Sequence, residues 1–189
     1  MGPVGRASAD VPEQILFVQG GGEGTHDRWD NKLVDSLTRE LGDAYAIRYP
    51  RMPNEGDPQY PAWREALFHE LDSLEDGATV VGHSVGGTIL IHALSERIPR
   101  IRLKGIFLIA APYIGEGGWP SDDIEPRTHF SQIAPVFLYH GAQDESAPVA
   151  HVQLYANAIP HAVVRTIERG DHQLNNDLSV VARDIRSLG

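Results

Sequence analysis

Ser84 lies at the centre of Gly82-His83-Ser84-Val85-Gly86, a Gly-x-Ser-x-Gly sequence. An apolar run at 78–81 precedes it, and a run compatible with a helix, 88–94, follows it. This strand–turn–helix layout is typical of a nucleophile elbow, a sharp turn that exposes a serine hydroxyl at a helix N-terminus. The flanking glycines leave room for such a turn. The pattern predicts a nucleophilic Ser84, and the alternative is a glycine-rich turn with an incidental serine.

Two polar turns further along the chain supply the partners that a nucleophilic serine needs. A serine hydroxyl reacts poorly at neutral pH unless a base accepts its proton and an acid orients that base. Residues 140–148, His-Gly-Ala-Gln-Asp-Glu-Ser-Ala-Pro, place Asp144 directly after an apolar run. Residues 170–174, Gly-Asp-His-Gln-Leu, place His172 after the last predicted strand. We therefore predict a catalytic triad of Ser84, Asp144 and His172.

Other acids and histidines remain as alternatives. Glu145 is the nearest rival of Asp144, while Asp171 is next to His172 in sequence and so is poorly placed to bind its Nδ1. Of the nine histidines, several fall on predicted helices or at the wrong strand end, and we expect them to pack or face solvent: His69, His92, His151 and His161. His26 and His129 lie in loops that can reach the pocket. No histidine pair has a metal-binding spacing, so we expect no metal and no other cofactor.

A triple glycine, Gly20-Gly21-Gly22, follows the first apolar run. A tetrahedral oxyanion needs two preorganised donors, and we predict that they are the backbone amides of Gly21 and Val85. We also place Gly20, Gly22 and His83 beside the substrate, although His83 is expected to pack rather than react. The glycines do not form a P-loop, because the Lys-Ser/Thr that such a loop needs is missing.

The elements that must position these residues alternate along the chain. Six short apolar runs predict strands at 15–18, 44–49, 78–81, 106–110, 136–140 and 163–167. Helices are predicted between them, the first with a stripe of Trp29, Leu33, Leu37 and Leu41. Such alternation predicts a parallel sheet covered by helices on both faces. We expect one domain, 14–189, after a disordered leader, 1–13.

The connection at 112–135 is the only stretch long enough to cover the site. It is rich in proline and glycine, which argues against one regular helix. Tyr113, Trp119 and Phe130 in this connection are candidates for an apolar wall around the acyl group, with core packing as the equal alternative. We place Tyr113 and Trp119 in the tentative substrate pocket.

Composition excludes several classes of function. The chain has 189 residues and a formal charge of −10, which argues against nucleic acid as a partner. It has no cysteine, so a thiol nucleophile, a disulfide or a Cys-ligated zinc is impossible. Without a membrane-length apolar run or a signal-like N-terminus, we expect a cytoplasmic protein that does not bind membranes. The expected partner is a small-molecule acyl substrate; a protein partner remains possible.

These residues together resemble a small α/β-hydrolase without a cap domain, and more narrowly the retinoblastoma-binding serine hydrolases and their compact bacterial relatives. The resemblance spans about 15–188 and rests on the glycine loop with its downstream tryptophan (20–29), the elbow, Gly141-x-x-Asp144 with Pro148, and 170–172. It implies a six-stranded α/β-hydrolase fold with strand order 2-1-3-4-5-6. It also implies that Ser84, Asp144 and His172 cleave small or medium acyl esters, as in a carboxylesterase.

Two other functions remain open from the sequence. One is a protein-interaction module that retains a vestigial triad. The other keeps the fold but changes the chemistry to that of a lyase or a cofactor-free perhydrolase, because function depends on the site and not on the fold.

Overall fold

The six predicted strands form one parallel sheet in a computed structural model that describes residues 11–189. Its order is β2-β1-β3-β4-β5-β6, as the resemblance implies. The strands are β1 (Glu13–Val18), β2 (Tyr45–Arg48), β3 (Ala78–His83), β4 (Leu103–Ile109), β5 (Val136–Gly141) and β6 (Val163–Ile167). The helices are α1 (Asp30–Leu41), α2 (Tyr60–Asp72), α3 (Val85–Glu96), α4 (Ala150–Ala158) and α5 (Ser179–Ser187). Most of the predicted leader, 1–10, lies outside the described residues.

Helices cover both faces of the sheet. Alternate residues of β1 point to opposite faces: Leu16 and Val18 belong to the core beneath α2, α3 and α4, while Ile15 and Phe17 belong to the core beneath α1 and α5. All four side chains are fully buried. A strand buried on both faces reads as an unbroken apolar run, which is why the strands could be predicted from the sequence.

The start of the first helix differs from the prediction. Residues 25–29 form one π-helical turn before α1, and Trp29 is 55% exposed, with the Lys32 ammonium 5.4 Å from its ring centre. A π turn closes i→i+5, so it shifts the phase of the residues that follow. As a result Asp30, not Trp29, occupies the buried position one turn before Leu33. The prediction that Trp29 belongs to the apolar stripe is wrong.

The connection at 112–135 packs against the domain over much of its length. Tyr113, Ile124 and Phe130 are buried in the core beneath α2, α3 and α4. The Asp123 carboxylate accepts a hydrogen bond from the Tyr60 amide at the start of α2, at 2.7 Å. The burial of Tyr113 and Phe130 favours core packing, one of the two alternatives that the sequence left open, over an acyl wall. Within residues 11–189, none of the helices is both long and apolar enough to cross a membrane.

The strand order reverses beside β1 and β3, which are neighbours in the sheet although β2 separates them in the chain. Val18 at the end of β1 pairs with Gly82 near the end of β3. In open parallel sheets such a switch point leaves a crevice at the carboxyl ends of the strands. The glycine loop and the elbow both begin there.

Candidate active site

Ser84 occupies a strained turn between β3 and α3. Its φ of 54° and ψ of −131° are unusual for a residue with a side chain. The turn needs its glycines: a Cβ on Gly86 would lie 2.0 Å from the Gln19 carbonyl oxygen, and one on Gly82 would lie 2.6 Å from the Gly87 Cα. The loop after β1 and the first turn of α3 thus leave room only for glycine at these positions, and the turn presents the Ser84 hydroxyl at the N-terminus of α3.

The structure brings Ser84, His172 and Asp144 into one chain of hydrogen bonds. His172 Nε2 lies 2.9 Å from Ser84 Oγ, and His172 Nδ1 lies 2.7 Å from Asp144 Oδ2. The other oxygen of Asp144 accepts the backbone amides of Ser146 and Ala147, each at 2.8 Å. Because a carboxylate accepts from Nδ1–H, Nε2 is the nitrogen left to accept the serine proton.

The rival acids occupy other positions. Glu145 is exposed to solvent. The carboxylate of Asp171 accepts the amides of Gln173 at 2.9 Å and Asn175 at 2.8 Å, so it shapes the turn that carries His172. The geometry selects Asp144 as the partner of His172.

Burial and charge favour the protonation states that a nucleophilic triad needs. Burial lowers the pKa of His172, and the positive charge of nearby His83 lowers it further. Burial alone would raise the pKa of Asp144, but the hydrogen bonds from His172 and from the Ala147 and Ser146 amides outweigh it, so that pKa is lowered. At neutral pH the site therefore holds a neutral imidazole beside an ionised carboxylate.

The two residues predicted to donate to the oxyanion, Gly21 and Val85, are neighbours in space. A Cβ on Gly21 would come within 2.9 Å of the Val85 side chain and 2.6 Å of Pro58. Within residues 11–189, the amides of Gly21 and Val85 donate to no protein acceptor. In contrast, the Gly20 amide donates to Asp30 Oδ2 at 2.7 Å, and the Gly22 amide to the Glu55 carbonyl at 2.7 Å. Of these four amides, those of Gly21 and Val85 are therefore available for a ligand, and those of Gly20 and Gly22 are not.

His83 does not line an open pocket, and its predicted place beside the substrate is wrong. Its side chain is 2% exposed, and it bridges Asp30 Oδ2 at 3.0 Å and the His172 carbonyl at 2.9 Å. Position 83 ends β3 with its side chain turned inward, beneath the site. The sequence prediction missed Asp30, because the assumed helical phase gave the buried position to Trp29. An acid three residues before Leu33, in a stripe otherwise apolar, was the available signal.

A further imidazole contacts Asp144, the acid of the predicted triad. His140, at the end of β5 and 1% exposed, places Nε2 2.8 Å from the Ala147 carbonyl and 3.2 Å from Asp144 Oδ2. It braces the loop that carries Asp144. The described residues contain no group of three or more His, Asp or Glu side chains arranged to hold a metal ion.

The remaining pocket candidates lie in different surroundings. Tyr113 is buried, and its amide donates to His151 Nδ1 at 2.8 Å. Trp119 is 39% exposed and packs its ring edge against His151, with 5.4 Å between ring centres. His26 stacks on Tyr49 at 3.9 Å, and His129 is exposed. Of the three aromatic residues of the connection, Trp119 is the one that is partly exposed to solvent.

Comparisons with known structures agree with this fold. The product of the ydeN gene of B. subtilis is 20% identical, with a TM-score of 0.74 over 93% of this chain and 98% of that one. A serine hydrolase without a lid from Xanthomonas campestris is 15% identical, with a TM-score of 0.66 over 97% and 83%. Est1E from Butyrivibrio proteoclasticus, determined with ferulic acid bound, is 14% identical, with a TM-score of 0.69 over 96% and 90%. At these identities the likeness establishes the fold.

The sequence itself establishes the family. No curated protein sequence matches the chain. A sequence model described as "Alpha/beta hydrolase family" matches residues 15–137, which is more than half of the chain. The narrower resemblance to the retinoblastoma-binding serine hydrolases is not confirmed and stays a prediction. The chain belongs to the alpha/beta hydrolase family, and it is a hydrolase.

Proposed function

We propose that this hydrolase is a serine carboxylesterase that cleaves small or medium acyl esters through an acyl-enzyme on Ser84. The observation that carries the proposal is the relay from Ser84 through His172 to Asp144, with distances of 2.9 and 2.7 Å. The strained backbone of Ser84 supports it, because strain of this kind persists where the surrounding structure holds a functional residue in place.

The reaction follows from these positions. His172 Nε2 accepts the Ser84 proton while Oγ attacks the ester carbonyl carbon, and the amides of Gly21 and Val85 donate to the oxyanion. His172 then gives that proton to the departing alcohol as the C–O bond breaks, which leaves the acyl group on Ser84. Water attacks the acyl carbon, with His172 as its base, and returns the serine and a carboxylic acid. Asp144 keeps the Nδ1 proton in place and stabilises the imidazolium in both halves.

The lack of a separate cap domain supports a small or medium ester as the substrate. The connection at 112–135 adds no helix of its own and is held down by its buried aromatics, so it forms no separate cap domain. One structural neighbour is named a serine hydrolase without a lid, and another was determined with ferulic acid. We propose that the half-exposed Trp119 contacts the acyl group.

Burst kinetics with p-nitrophenyl acetate test this proposal. We expect a rapid release of about one equivalent of p-nitrophenol, then slower turnover, with an acetyl group on the peptide that contains Ser84. Ser84→Ala should abolish both phases. Ser187→Ala, a serine whose hydroxyl donates only to the Asp184 carbonyl, is the matched control and should retain them. Turnover that persists in Ser84→Ala, or a wild-type protein inert toward esters of every chain length, would overturn the proposal.

A further inference from the structure

A second Asp–His pair lies directly beneath the predicted triad. We call Asp144–His172 the outer pair and Asp30–His83 the inner pair. The Asp30 side chain is 0% exposed and that of His83 is 2% exposed. The two imidazole rings, His83 and His172, are 5.0 Å apart between ring centres. The inner pair touches neither Ser84 Oγ nor open solvent, so any role in the reaction must act through other residues.

The Asp30 carboxylate joins three loops that bear the site. Its Oδ2 accepts the Gly20 amide at 2.7 Å, from the loop that carries Gly21, and His83 Nδ1 at 3.0 Å, from the elbow. Its Oδ1 accepts the Gln173 side-chain amide at 3.2 Å, from the loop that carries His172. The donor, nucleophile and base segments thus converge on one buried carboxylate.

The partners of His83 determine its charge. Nδ1 faces a carboxylate and Nε2 faces the His172 carbonyl at 2.9 Å, so both ring nitrogens meet oxygens that accept. A neutral imidazole can donate from only one nitrogen, whereas an imidazolium donates from both. A proton on Asp30 Oδ2 would compete with the Gly20 N–H already bound there. The hydrogen-bond pattern therefore favours an ion pair, an aspartate with an imidazolium.

We propose that the inner pair is a positioning device for the esterase reaction: His83, held as an imidazolium by Asp30, fixes the His172 loop through its carbonyl and keeps His172 unprotonated. The proposal rests on the proposed function for its effect on catalysis. Burial alone would lower the pKa of His83, but the Asp30 charge outweighs it and raises that pKa. The positive charge in turn lowers the pKa of His172, after the larger effect of burial.

Other titratable groups also face these rings. Asp144 and His140 face His172 together with His83, and Asp144 contributes to the field at His83. A variant that neutralises the inner pair must therefore leave Asp144 and His140 unchanged. Asp30→Asn combined with His83→Gln does so, and it leaves no uncompensated buried charge. Asp184→Asn is the matched control. Asp184 lies on α5, away from His172, and its buried carboxylate binds Tyr139 and Arg165.

The direct test is the ¹⁵N NMR spectrum of the histidine rings of the wild-type protein across pH, with His83→Gln used to assign His83. We expect both nitrogens of His83 to be protonated in the range just above neutral pH, where an ordinary histidine has lost its proton, while His172 is neutral there. A His83 that carries a single proton in this range would overturn the proposal. This NMR measurement does not depend on catalytic turnover, so it tests the proposal even if the protein does not hydrolyse esters.

The kinetic test compares the pH profiles of kcat/KM for p-nitrophenyl acetate. In the Asp30→Asn/His83→Gln double variant the pKa of His172 should rise, because the nearer, positive member of the pair is lost. The acid limb should move up by about 0.5–1 pH unit, so that kcat/KM falls by about three- to tenfold at pH values below the wild-type limb and hardly at all well above it. Asp184→Asn should leave the limb in place. An unmoved limb in a folded double variant would overturn the proposal, whereas a wild-type protein without activity would contradict the proposed function instead.

Discussion

The outer and inner pairs use the same two residue types at similar distances, yet they hold different charges. Asp144 and His172 are 2.7 Å apart, and Asp30 and His83 are 3.0 Å apart. The two pairs differ in the group that faces Nε2 of the histidine ring. His172 Nε2 faces the Ser84 hydroxyl, which can donate a proton, whereas His83 Nε2 faces a carbonyl oxygen, which only accepts.

This difference shows that a carboxylate alone does not decide the role of a histidine. A hydroxyl at Nε2 allows a neutral ring that can act as a base, and partial exposure lets that ring meet a substrate. A carbonyl at Nε2, in a fully buried site, favours a permanent imidazolium that serves structure and electrostatics. The following predictions separate the two pairs, from the largest expected effect to the smallest.

Asp144→Asn should break the outer pair with little effect on the fold. Asparagine can still accept the Ser146 and Ala147 amides, but it no longer favours the proton on His172 Nδ1. We expect kcat to fall by about 10³- to 10⁴-fold, while the free energy of unfolding changes by about 1 kcal/mol or less. Steady-state kinetics and urea denaturation measure the two quantities. A fall in kcat below about tenfold would show that the Asp144–His172 contact does not support catalysis.

Asp30→Asn should break the inner pair and, unlike Asp144→Asn, should mainly lower the stability of the fold. It removes the carboxylate on which Gly20, His83 and Gln173 converge. Loss of one partner of a buried ion pair is strongly destabilising, although His83 can shed its proton here, so we expect a loss of about 2–4 kcal/mol. Urea denaturation at pH 7 measures it, with Asp144→Asn as the comparison. Equal stability of the two variants would remove the distinction between the pairs.

His92 is another buried histidine and sharpens the comparison, because no carboxylate within residues 11–189 binds it. It packs edge-on against Phe130, and burial lowers its pKa from 6.5 to about 4, with the Arg127 charge contributing and Glu96 opposing. As pH falls from 6.5 towards 4, the unfolded chain takes up a proton that the folded chain does not. Over that range, the free energy of unfolding of the wild-type protein should therefore fall by about 2–3 kcal/mol more than that of His92→Gln. If the free energy of unfolding of both proteins fell equally with pH, a neutral His92 in the folded protein would be contradicted.

Trp119→Ala should leave both pairs intact and change only selectivity. Trp119 is 39% exposed and rests on His151, at the start of α4 beyond the loop that carries Asp144. We expect the ratio of kcat/KM between p-nitrophenyl octanoate and acetate to change by about three- to tenfold, as for the loss of an apolar contact of modest area. The pH profile should not move. An unchanged chain-length preference would place Trp119 outside the substrate site.

The sheet and the outer pair could be predicted from the sequence because their signals are local. Buried strands appear as apolar runs, and Ser84, Asp144 and His172 each follow such a run. The strand order came from family resemblance, since residue patterns do not encode which strands become neighbours.

The inner pair was not predicted, because it depends on the phase of one helix. A single π turn moves Trp29 to the surface and Asp30 into the core. That choice is set by packing between segments far apart in the chain: Asp30 meets His83 and Gln173, 53 and 143 residues away. The burial of Tyr113 and Phe130 was left open for the same reason, because it depends on how the connection packs against α3 and α4.

The most direct test of the central claim, that the outer pair activates Ser84, is covalent labelling with a fluorophosphonate probe. Such probes react with activated serines, so we expect labelling of the wild-type protein on the peptide that contains Ser84. Ser84→Ala and His172→Ala should both lose labelling while keeping the wild-type far-UV circular dichroism. Absence of labelling in the folded wild-type protein, or full labelling of His172→Ala, would contradict the claim.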